Sequence, residues 1–332
     1  MKQRRLKLNL LYDYIDTSWG GINTFFRNFS YYSKKDDRIE LVDAGKKADI
    51  ILTSGHFHAP GKMLHSYQLR NIKKGLPYDS FKGIIPYKYK SKVIFRLDGL
   101  RSIYSDNANS DSDKMLFNNM KYADAIVFQS KYSNDCFIES DINIPDKGKI
   151  ILNGAYNNTS HYNSKDNINS SETLRLVSSS WSTNHEKGFK VISDFSKFKK
   201  TSVFHIGNWP KDVDTGNVVL LGKKNHDDIY NIMSKAHCLL FPSKNEACPN
   251  VVSEGLSTGL PVIYHPSGGT SELCGFGKYG VEIMSGNNNI EKTISLIRNK
   301  YSILHNNIKS NKYSFEFERC YKKYIKFFYN VV

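Results

Sequence analysis

The sequence has no apolar run long enough to cross a membrane. A spanning helix needs about 20 consecutive apolar residues, and hydrophobic residues make up only 39% of the 332-residue chain. The N-terminus is basic, but the apolar segment behind it, residues 6–11, is short and interrupted, and no small-residue cleavage site follows. We interpret it as a buried strand and expect a cytoplasmic protein, with peripheral contact at the inner face of the membrane as a further expectation.

Cysteine is scarce and shows no pattern that would build a disulfide framework or a zinc site. The five cysteines are scattered, odd in number and without metal-ligand spacing: Cys136, Cys238, Cys248, Cys274 and Cys320. Free reduced thiols therefore fit best, and Cys238, which lies inside an apolar run, is expected in a core.

Two other groups of residues have the composition of metal ligands, but their spacing favours simpler roles. Asp111 and Asp113 form an Asp-x-Asp pair that opens a helical stretch, so helix N-capping explains them more simply. His56, His58 and His65 are loosely spaced without a close acidic partner in sequence, which favours a loop that meets an acceptor over a zinc site. We therefore expect no metal and no other cofactor.

Negative charge is in short supply, because 47 lysines and arginines stand against 32 aspartates and glutamates, for a formal net charge of +15. A basic surface favours phosphate-bearing partners such as a nucleotide, an anionic lipid surface or nucleic acid. An ordinary solvated surface of a lysine-rich protein explains the charge equally well. The charge is not clustered and no RNA- or DNA-binding motif is present, so nucleic acid is the weakest of these alternatives.

Short β-rich runs alternate with helical segments along both halves of the chain, which indicates parallel sheets covered by helices on both faces. A polar stretch near the middle is typical of a linker. In the second half, strands are predicted at residues 174–179, 202–206, 218–221 and 238–241, and helices at residues 187–198 and 226–235.

We predict an α/β protein with two Rossmann-like domains facing each other across a cleft. The first domain, over residues 1–155, would bind the acceptor, and a linker would follow over residues 156–171. The second domain, over residues 172–312, would bind the donor. Residues 313–332 have apolar side chains at helical spacing and are predicted to form a helix that packs back towards the first domain.

One segment, residues 241–273, combines features of an anion-binding and a sugar-binding site. Pro249 stands where a helix begins, and the first turn, with Asn250 and Val251, offers backbone N–H groups and the positive end of a helix dipole. Glu246 precedes this turn and Glu254 lies about one turn into the helix. Their carboxylates are suited to accept hydrogen bonds from the vicinal hydroxyl groups of a sugar.

A glycine pair later in this segment, Gly268-Gly269, permits a second backbone to approach closely and offers further N–H donors. On spacing alone, an exposed helix with solvated glutamates and an ordinary glycine turn explains the segment equally well.

The segment resembles the Glu-x7-Glu region of the retaining nucleotide-sugar glycosyltransferases of family four, which share the two-domain GT-B fold. All elements of that region occur at matching spacing: Pro242-Ser243, Glu246, Pro249-Asn250-Val251, Glu254, Gly259-x-Pro261-Val262 and Gly268-Gly269-x-x-Glu272. The resemblance implies that Glu246 contacts the transferred sugar near the reacting carbon and that Glu254 holds the nucleotide ribose. It also implies that the donor site is lined by Asn250, Val251, Gly268, Gly269 and Glu272.

Two positions in the first half resemble further parts of the family's site. Gly20 and Gly21 precede a predicted helix and resemble the glycine loop that faces the donor phosphates, although an ordinary turn explains them as well. Arg96 and Asp98 follow a predicted strand where many family members carry a His-Asp pair, so both are candidates for the cleft. A role in capping the loop explains Asp98 equally well. Leu97 occupies the position of the histidine, and the contact of that histidine with the sugar is therefore absent or replaced.

Lys187, within the sequence Glu-Lys-Gly, resembles the family's lysine that neutralises the leaving diphosphate, where negative charge develops as the glycosidic bond breaks. The family's arginine about five residues earlier is missing here. Either another cation, such as Lys223 or Lys244, substitutes for it, or phosphate binding differs.

The resemblance implies a metal-independent hexosyltransferase that moves a sugar from a nucleotide-diphosphate donor to a glycan or lipid-linked acceptor, with retention, in cell-surface polysaccharide synthesis. No residue stands out as a covalent nucleophile, so front-face attack by the acceptor hydroxyl is expected. The expected partners are the nucleotide sugar, the acceptor and an anionic membrane, and no nucleic acid. The alternative is a catalytically inactive nucleotide-sugar-binding protein of the same fold, which the missing arginine and histidine favour.

Overall fold

The computed structural model describes residues 4–16, 20–80, 83–85, 90–104, 110–140, 145, 147–156, 161–169 and 171–332. The chain divides into two compact units. The first comprises Met1–Ser102, Ala108–Leu152 and Cys320–Val332, and the second comprises Ile103–Asn107 and Asn153–Arg319.

The first unit is built on a six-stranded parallel sheet with two small antiparallel hairpins. Its strands are β1 (Leu6–Leu10), β2 (Ile39–Leu41), β3 (Ile50–Thr53), β4 (Phe57–Ala59), β5 (Lys62–Met63), β6 (Tyr78–Ser80), β7 (Gly83–Ile85), β8 (Lys92–Leu97), β9 (Ala125–Phe128) and β10 (Gly148–Ile150). The sheet has the order β10-β9-β8-β3-β1-β2, while β4-β5 and β6-β7 are the hairpins. Every residue of β3 and β9 is buried, as expected of central strands covered on both faces.

The described helices that accompany this sheet are α1 (Gly20–Lys34), α2 (Ser66–Lys74), α3 (Arg101–Tyr104), α4 (Ser110–Met120) and α5 (Lys131–Glu139). Their apolar sides pack on the sheet. Leu69 of α2, Leu116 of α4 and Phe137 of α5 belong to one buried cluster with Phe95 of β8.

The second unit contains one six-stranded parallel sheet. Its strands are β11 (Leu174–Ser180), β12 (Thr201–Gly207), β13 (Val219–Gly222), β14 (Cys238–Phe241), β15 (Val262–Tyr264) and β16 (Gly280–Glu282), in the order β13-β12-β11-β14-β15-β16. Counted within the unit, this is the doubly wound order 3-2-1-4-5-6. The direction of winding reverses between β11 and β14, and the loops that leave these two strands define the crevice where such sheets bind ligands.

The helices of the second unit are α6 (Phe189–Ser196), α7 (His226–Lys235), α8 (Asn250–Ser257), α9 (Thr270–Leu273) and α10 (Asn289–Ser310). Helix α8 packs closely on β14, since a Cβ at Gly255 would lie 2.9 Å from a methyl group of Leu239. Helix α6 begins two residues later than predicted. Gly188, with φ of +74°, separates α6 from a 3₁₀ turn over His185–Lys187.

The C-terminal helix α11 (Phe317–Val331) begins at the end of the second unit and lies mostly in the first. Its predicted apolar face is confirmed, because Phe317, Tyr321, Tyr324, Ile325 and Phe328 are all buried. Within the first unit, the rings of Tyr324 and Phe328 lie 5.4 and 6.0 Å from that of Phe29 in α1. Aromatic packing of this kind joins the last helix to the first.

Residues 161–169, the described part of the predicted linker apart from Tyr156 and Ser171, belong to the second unit. Asn163 is buried, donates its backbone N–H to the Thr258 oxygen (2.8 Å) and donates its side-chain amide to the Ala236 oxygen (2.9 Å). Residues 157–160 and 170 of the predicted linker lie outside the described residues.

The α/β class with two parallel-sheet domains is as predicted. In the described part of the chain, no helix is both long and apolar enough to span a membrane.

Candidate active site

The crevice of the second sheet brings together Lys187 and Glu246, which are 59 positions apart in the sequence. Lys187 lies in the loop after β11 and Glu246 in the loop after β14, and these strands are paired neighbours. The Lys187 ammonium forms an ion pair with the Glu246 carboxylate, and the two side chains are 25% and 21% exposed. Both residues with a predicted catalytic role therefore meet at the point where the winding reverses.

The loop that carries Lys187 is pressed against the loop after β14. Gly188 adopts the left-handed conformation, and a Cβ at this position would lie 2.8 Å from the carbonyl oxygen of Pro242. Two residues further along the second loop, the N–H of Lys244 donates to the Glu186 oxygen at 2.9 Å. Only glycine combines this backbone angle with so close an approach, so the Glu-Lys-Gly sequence fixes the position of the lysine.

Glu246 is held by contacts within its own loop and with the loop after β15. The Ser243 hydroxyl donates to Glu246 Oε1 at 3.0 Å. The preceding residue, Asn245, has φ of +55° and donates its backbone N–H to the Ser267 hydroxyl oxygen at 3.0 Å. His265 Nδ1 lies 2.9 Å from the same hydroxyl. These bonds explain how a loop residue keeps a defined direction.

Burial lowers the pKa of His265, the nearby charge of Lys244 lowers it further, and the Glu186 carboxylate opposes the shift. His265 is therefore a neutral hydrogen-bonding residue at pH 7. Ser243 and His265 were not predicted as site residues. The sequence contained a signal for Ser243, since the Pro-Ser pair stands three residues before Glu246, and His265 directly follows a strand.

The Gly268-Gly269 turn packs directly on the backbone of Glu246. Gly268 has φ of +75°, and a Cβ there would lie 2.5 Å from the Glu246 oxygen and 2.8 Å from its nitrogen. Gly269 donates its N–H to the same oxygen at 2.8 Å. The short helix α9 follows directly and includes Glu272. The close backbone approach expected of this glycine pair is thus made to the carboxylate-bearing loop.

Helix α8 presents Asn250, Val251 and Glu254 as its partly exposed side chains, and all its other residues are buried. Pro249 lies just before the helix in an extended conformation. Asn153, which was not predicted as a site residue, donates its side-chain amide to the Cys248 oxygen (2.9 Å) and to Asn250 Oδ1 (3.0 Å). It fixes the start of α8 from a distant part of the sequence.

The remaining predicted residues belong to the first unit. Gly20 opens α1 with φ of +67°, followed by the exposed Gly21. Arg96 of β8 is 2% exposed, and its guanidinium carbon lies 4.1 Å from the ring centroid of Phe25 in α1, so it lies in the core of that unit. Asp98 follows β8, and its side chain is 29% exposed.

The two groups with metal-ligand composition adopt other roles. His56 is buried with Nδ1 3.9 Å from Asp98 Oδ1, an acidic neighbour that sequence separation concealed, and burial lowers the pKa of this histidine. Asp113 accepts the backbone N–H groups of Arg101 (3.0 Å) and Ser102 (2.9 Å), so it caps α3 rather than its own helix. Among the described residues, no three His, Cys, Asp or Glu side chains are grouped to hold a metal ion.

Comparison with known proteins finds a family match over part of the second unit. Residues 214–315, which include α8, α9 and the Gly268-Gly269 turn, match the family described as Glycosyl transferases group 1. An uncharacterized glycosyltransferase of Methanocaldococcus jannaschii is 32% identical over 136 residues. That alignment covers 40% of this chain and 37% of the relative, so the chain matches little more than a third of the relative's length.

Solved structures extend the similarity to nearly the whole chain. Sucrose-phosphate synthase from Thermosynechococcus elongatus has a TM-score of 0.70 at 12% identity, covering 98% of this chain and 99% of that structure. HepE from Anabaena, solved with UDP-glucose, has a TM-score of 0.64 at 14% identity, covering 97% and 99%. At these identities the likeness shows the GT-B fold. The family match is confined to residues 214–315, and the likeness over the rest of the chain is one of fold.

Proposed function

We propose that the chain is a retaining glycosyltransferase that transfers a hexose-type sugar from a nucleotide-diphosphate donor to a glycan or lipid-linked acceptor in cell-surface polysaccharide synthesis. The main support for this proposal is the Lys187–Glu246 ion pair, which lies where the winding of the second sheet reverses. It joins a cation suited to a phosphate and a carboxylate suited to sugar hydroxyls in one place.

In this proposal the second unit binds the donor. The start of α8, with Asn250 and Val251, and the N–H of Gly268 supply backbone donors, while Glu254 accepts hydrogen bonds from the ribose hydroxyls. Gly269 lines the site and holds the turn against Glu246. Asn250 and Glu254 are four residues apart on α8 and therefore share one face of the helix. Glu272 in α9 completes the lining.

Donor binding exchanges the partners of Lys187 and Glu246. The ammonium of Lys187 moves its interaction to the diphosphate, whose negative charge grows as the bond to the sugar breaks. Glu246 then accepts hydrogen bonds from the sugar next to the reacting carbon. Because the two side chains are only about a quarter exposed, water screens their charges less than it screens those of fully exposed residues.

Catalysis would come from positioning and from stabilisation of the leaving group. The acceptor hydroxyl attacks the face from which the diphosphate departs, through an oxocarbenium-like transition state, so configuration at the anomeric carbon is retained. We propose that lysine and backbone N–H groups do this without a metal. The expected result is an unchanged transfer rate in EDTA, and a rate restored only by added Mg²⁺ or Mn²⁺ would contradict it.

The first unit would bind the acceptor, with Asp98 as a candidate contact, and Gly20 and Gly21 remain candidates for contact with the donor phosphates. The net charge of +15 supports a cytoplasmic protein that contacts the anionic inner face of the membrane. Cosedimentation with phosphatidylglycerol vesicles should fall as salt rises. Failure to cosediment even at low salt would remove the membrane contact and leave the donor chemistry unaffected.

The donor site is tested by thermal shift with a panel of nucleotide sugars, beginning with UDP-glucose. One donor should raise the melting temperature of the wild type, and Glu254→Ala should abolish that rise. Glu291→Ala, which removes an exposed glutamate from the first turn of α10, is the matched control and should keep the full shift. Equal shifts in both variants would place the ribose contact elsewhere.

The alternative of an inactive sugar-nucleotide-binding protein predicts a different outcome of the same experiment. It is favoured by Leu97, which is fully buried where a sugar-contacting histidine would lie. A stabilising donor that is neither transferred nor hydrolysed over hours in the presence of glycan and lipid-linked acceptors would support this alternative. Product with an anomeric configuration matching the donor, observed by NMR, would support the enzyme.

A further inference from the structure

A diphosphate donor requires more positive charge than the Lys187 side chain alone provides. The bound diphosphate is dianionic and gains charge on departure, whereas Lys187 is a single cation and is paired with Glu246 until the donor binds. Charge-assisted contacts from more than one cation are the usual solution for such a group. The carboxyl edge of the second sheet, where Lys187 lies, is therefore the place to look for another cation.

Lys223 and Trp181 form a cation–aromatic pair at this edge. Trp181 directly follows β11, and Lys223 directly follows β13. The ammonium of Lys223 lies 4.5 Å from the centroid of the Trp181 ring, and the indole is 42% exposed. Within the part of the chain that the structure describes, the ammonium forms no ion pair or hydrogen bond besides this contact with the ring. The exposed Lys223 thus has its ammonium placed over the face of the indole.

The position of Trp181 beneath Lys223 is supported by β12, the strand between β11 and β13. Asn208, which follows β12, donates its side-chain amide to the Trp181 oxygen at 2.5 Å and its backbone N–H to the Ser180 oxygen at 2.9 Å. Gly207 has φ of +112°, and a Cβ there would lie 2.0 Å from the same Ser180 oxygen. The loop ends of β11 and β12 are therefore held together, and β12 pairs with β13 as far as Gly222, the residue before Lys223.

From Trp181 the same loop runs on to Lys187. Ser180 Oγ donates to the Ser182 oxygen at 2.6 Å, and Ser182 Oγ accepts the N–H of Asn184 at 3.1 Å. Asn184 in turn accepts the N–H of Glu186 at 2.7 Å, directly before Lys187. A continuous series of local hydrogen bonds thus connects the tryptophan with the first cation.

We infer that Lys223 is a second cation that binds the donor's diphosphate, and that Trp181 positions it. This inference rests on the proposed function, since it names a further residue of the same donor site. The indole face holds the ammonium without neutralising it, because a ring quadrupole attracts a cation but carries no net charge. An incoming phosphate oxygen therefore meets a preoriented and uncompensated cation.

Two neighbouring lysines serve as comparisons. Lys244 is exposed in the loop after β14, and its charge acts on His265, on the other side of the winding reversal. Lys224 is the exposed neighbour of Lys223 in the same loop, with the same charge but no aromatic partner recorded among the described residues. Lys224→Gln is therefore the matched control for Lys223→Gln.

The test compares nucleoside diphosphates with their own nucleosides by calorimetry on the full chain. UDP, GDP, ADP and CDP are screened first, and the tightest is paired with its nucleoside. Lys223→Gln should weaken the diphosphate about tenfold and the nucleoside less than twofold, since it removes a charged phosphate contact. It should also reduce the dependence of diphosphate affinity on salt. Lys224→Gln should change each affinity less than twofold.

Trp181 is tested by two substitutions that separate positioning from folding. Trp181→Leu should weaken the diphosphate about threefold without affecting the nucleoside, and Trp181→Phe, which keeps an aromatic face, should restore most of the loss. Unchanged melting temperatures of both variants should show that the fold is intact.

The outcomes distinguish this inference from the proposed function. If a diphosphate binds and Lys223→Gln behaves as Lys224→Gln, the inference is overturned and the donor site stands. If Lys244→Gln causes the tenfold loss instead, the second cation is Lys244, and the inference is likewise overturned. If no diphosphate binds the wild type, the proposed function falls first and the role of Lys223 falls with it.

Discussion

Replacing Gly268 with alanine tests whether the glycine turn supports the carboxylate loop. The new Cβ would lie 2.5 Å from the Glu246 oxygen, a separation at which the two backbones must move apart. The φ of +75° adds left-handed strain of about 1–2 kcal/mol for a residue with a side chain. Forced separation costs a further ~1–3 kcal/mol, and the 2.8 Å bond from Gly269 to Glu246 is worth about 1 kcal/mol.

Gly286 provides a matched control for the backbone strain alone. It has φ of +81°, and a Cβ built there meets no atom within 4 Å. Gly286→Ala should therefore cost only the strain of about 1–2 kcal/mol. The difference between the two variants, about 2–4 kcal/mol, measures the contact between the turn and Glu246.

The assay is scanning calorimetry of both variants, followed by thermal shift with the stabilising donor. In a unit of this size each kcal/mol corresponds to about 2–4 °C, so Gly268→Ala should melt roughly 4–16 °C below Gly286→Ala. It should also lose the donor shift, because Glu246 is displaced. Equal melting temperatures with intact donor binding would refute the contact as a determinant of the site.

Three further predictions follow from individual groups. Lys187→Met and Glu246→Gln should each lower the transfer rate at least about 100-fold. Each should change the melting temperature by only a few degrees, because a partly exposed ion pair contributes about 1 kcal/mol or less to stability. A large fall in melting temperature would show that the pair serves folding rather than catalysis. Burial, with the charge of Arg175 adding to it, lowers the pKa of His237 to about 4. The unfolded chain therefore binds a proton before the folded chain does as pH falls from about 6.5 to 4, and the free energy of unfolding declines over that range by about 2–3 kcal/mol. His237→Gln should flatten this part of the pH–stability curve. Burial raises the thiol pKa of Cys238 and Cys274. A thiol reagent at pH 8 should therefore leave both cysteines unmodified in the native protein and react with them after unfolding. Rapid modification of either cysteine in the native protein would show that the core opens locally.

Features with a short-range cause could be predicted from the sequence. The pairing of Glu246 with a helix start and a glycine turn depends on residue types at close spacing, and α11 has its apolar residues on one face. Helix α10 was not predicted, although Ile294, Ile297, Tyr301, Leu304 and Ile308 have helical spacing and are buried. The 3₁₀ turn before α6 was missed because a left-handed glycine can end one helix as readily as it precedes another.

Contacts between distant residues were decided only by the tertiary structure. The alternation of short apolar strand segments with helical segments predicted a parallel α/β sheet in each half, because strands buried on both faces are nearly continuous apolar runs. Neither the winding order, which brings Lys187 to Glu246, nor the packing that brings Asn153 to Cys248 has a local signal. The same holds for Lys223 on Trp181, whose strands become neighbours of β12 only in the sheet. Strand order is set by which crossovers bury the most apolar surface together, a property of the whole chain rather than of any segment.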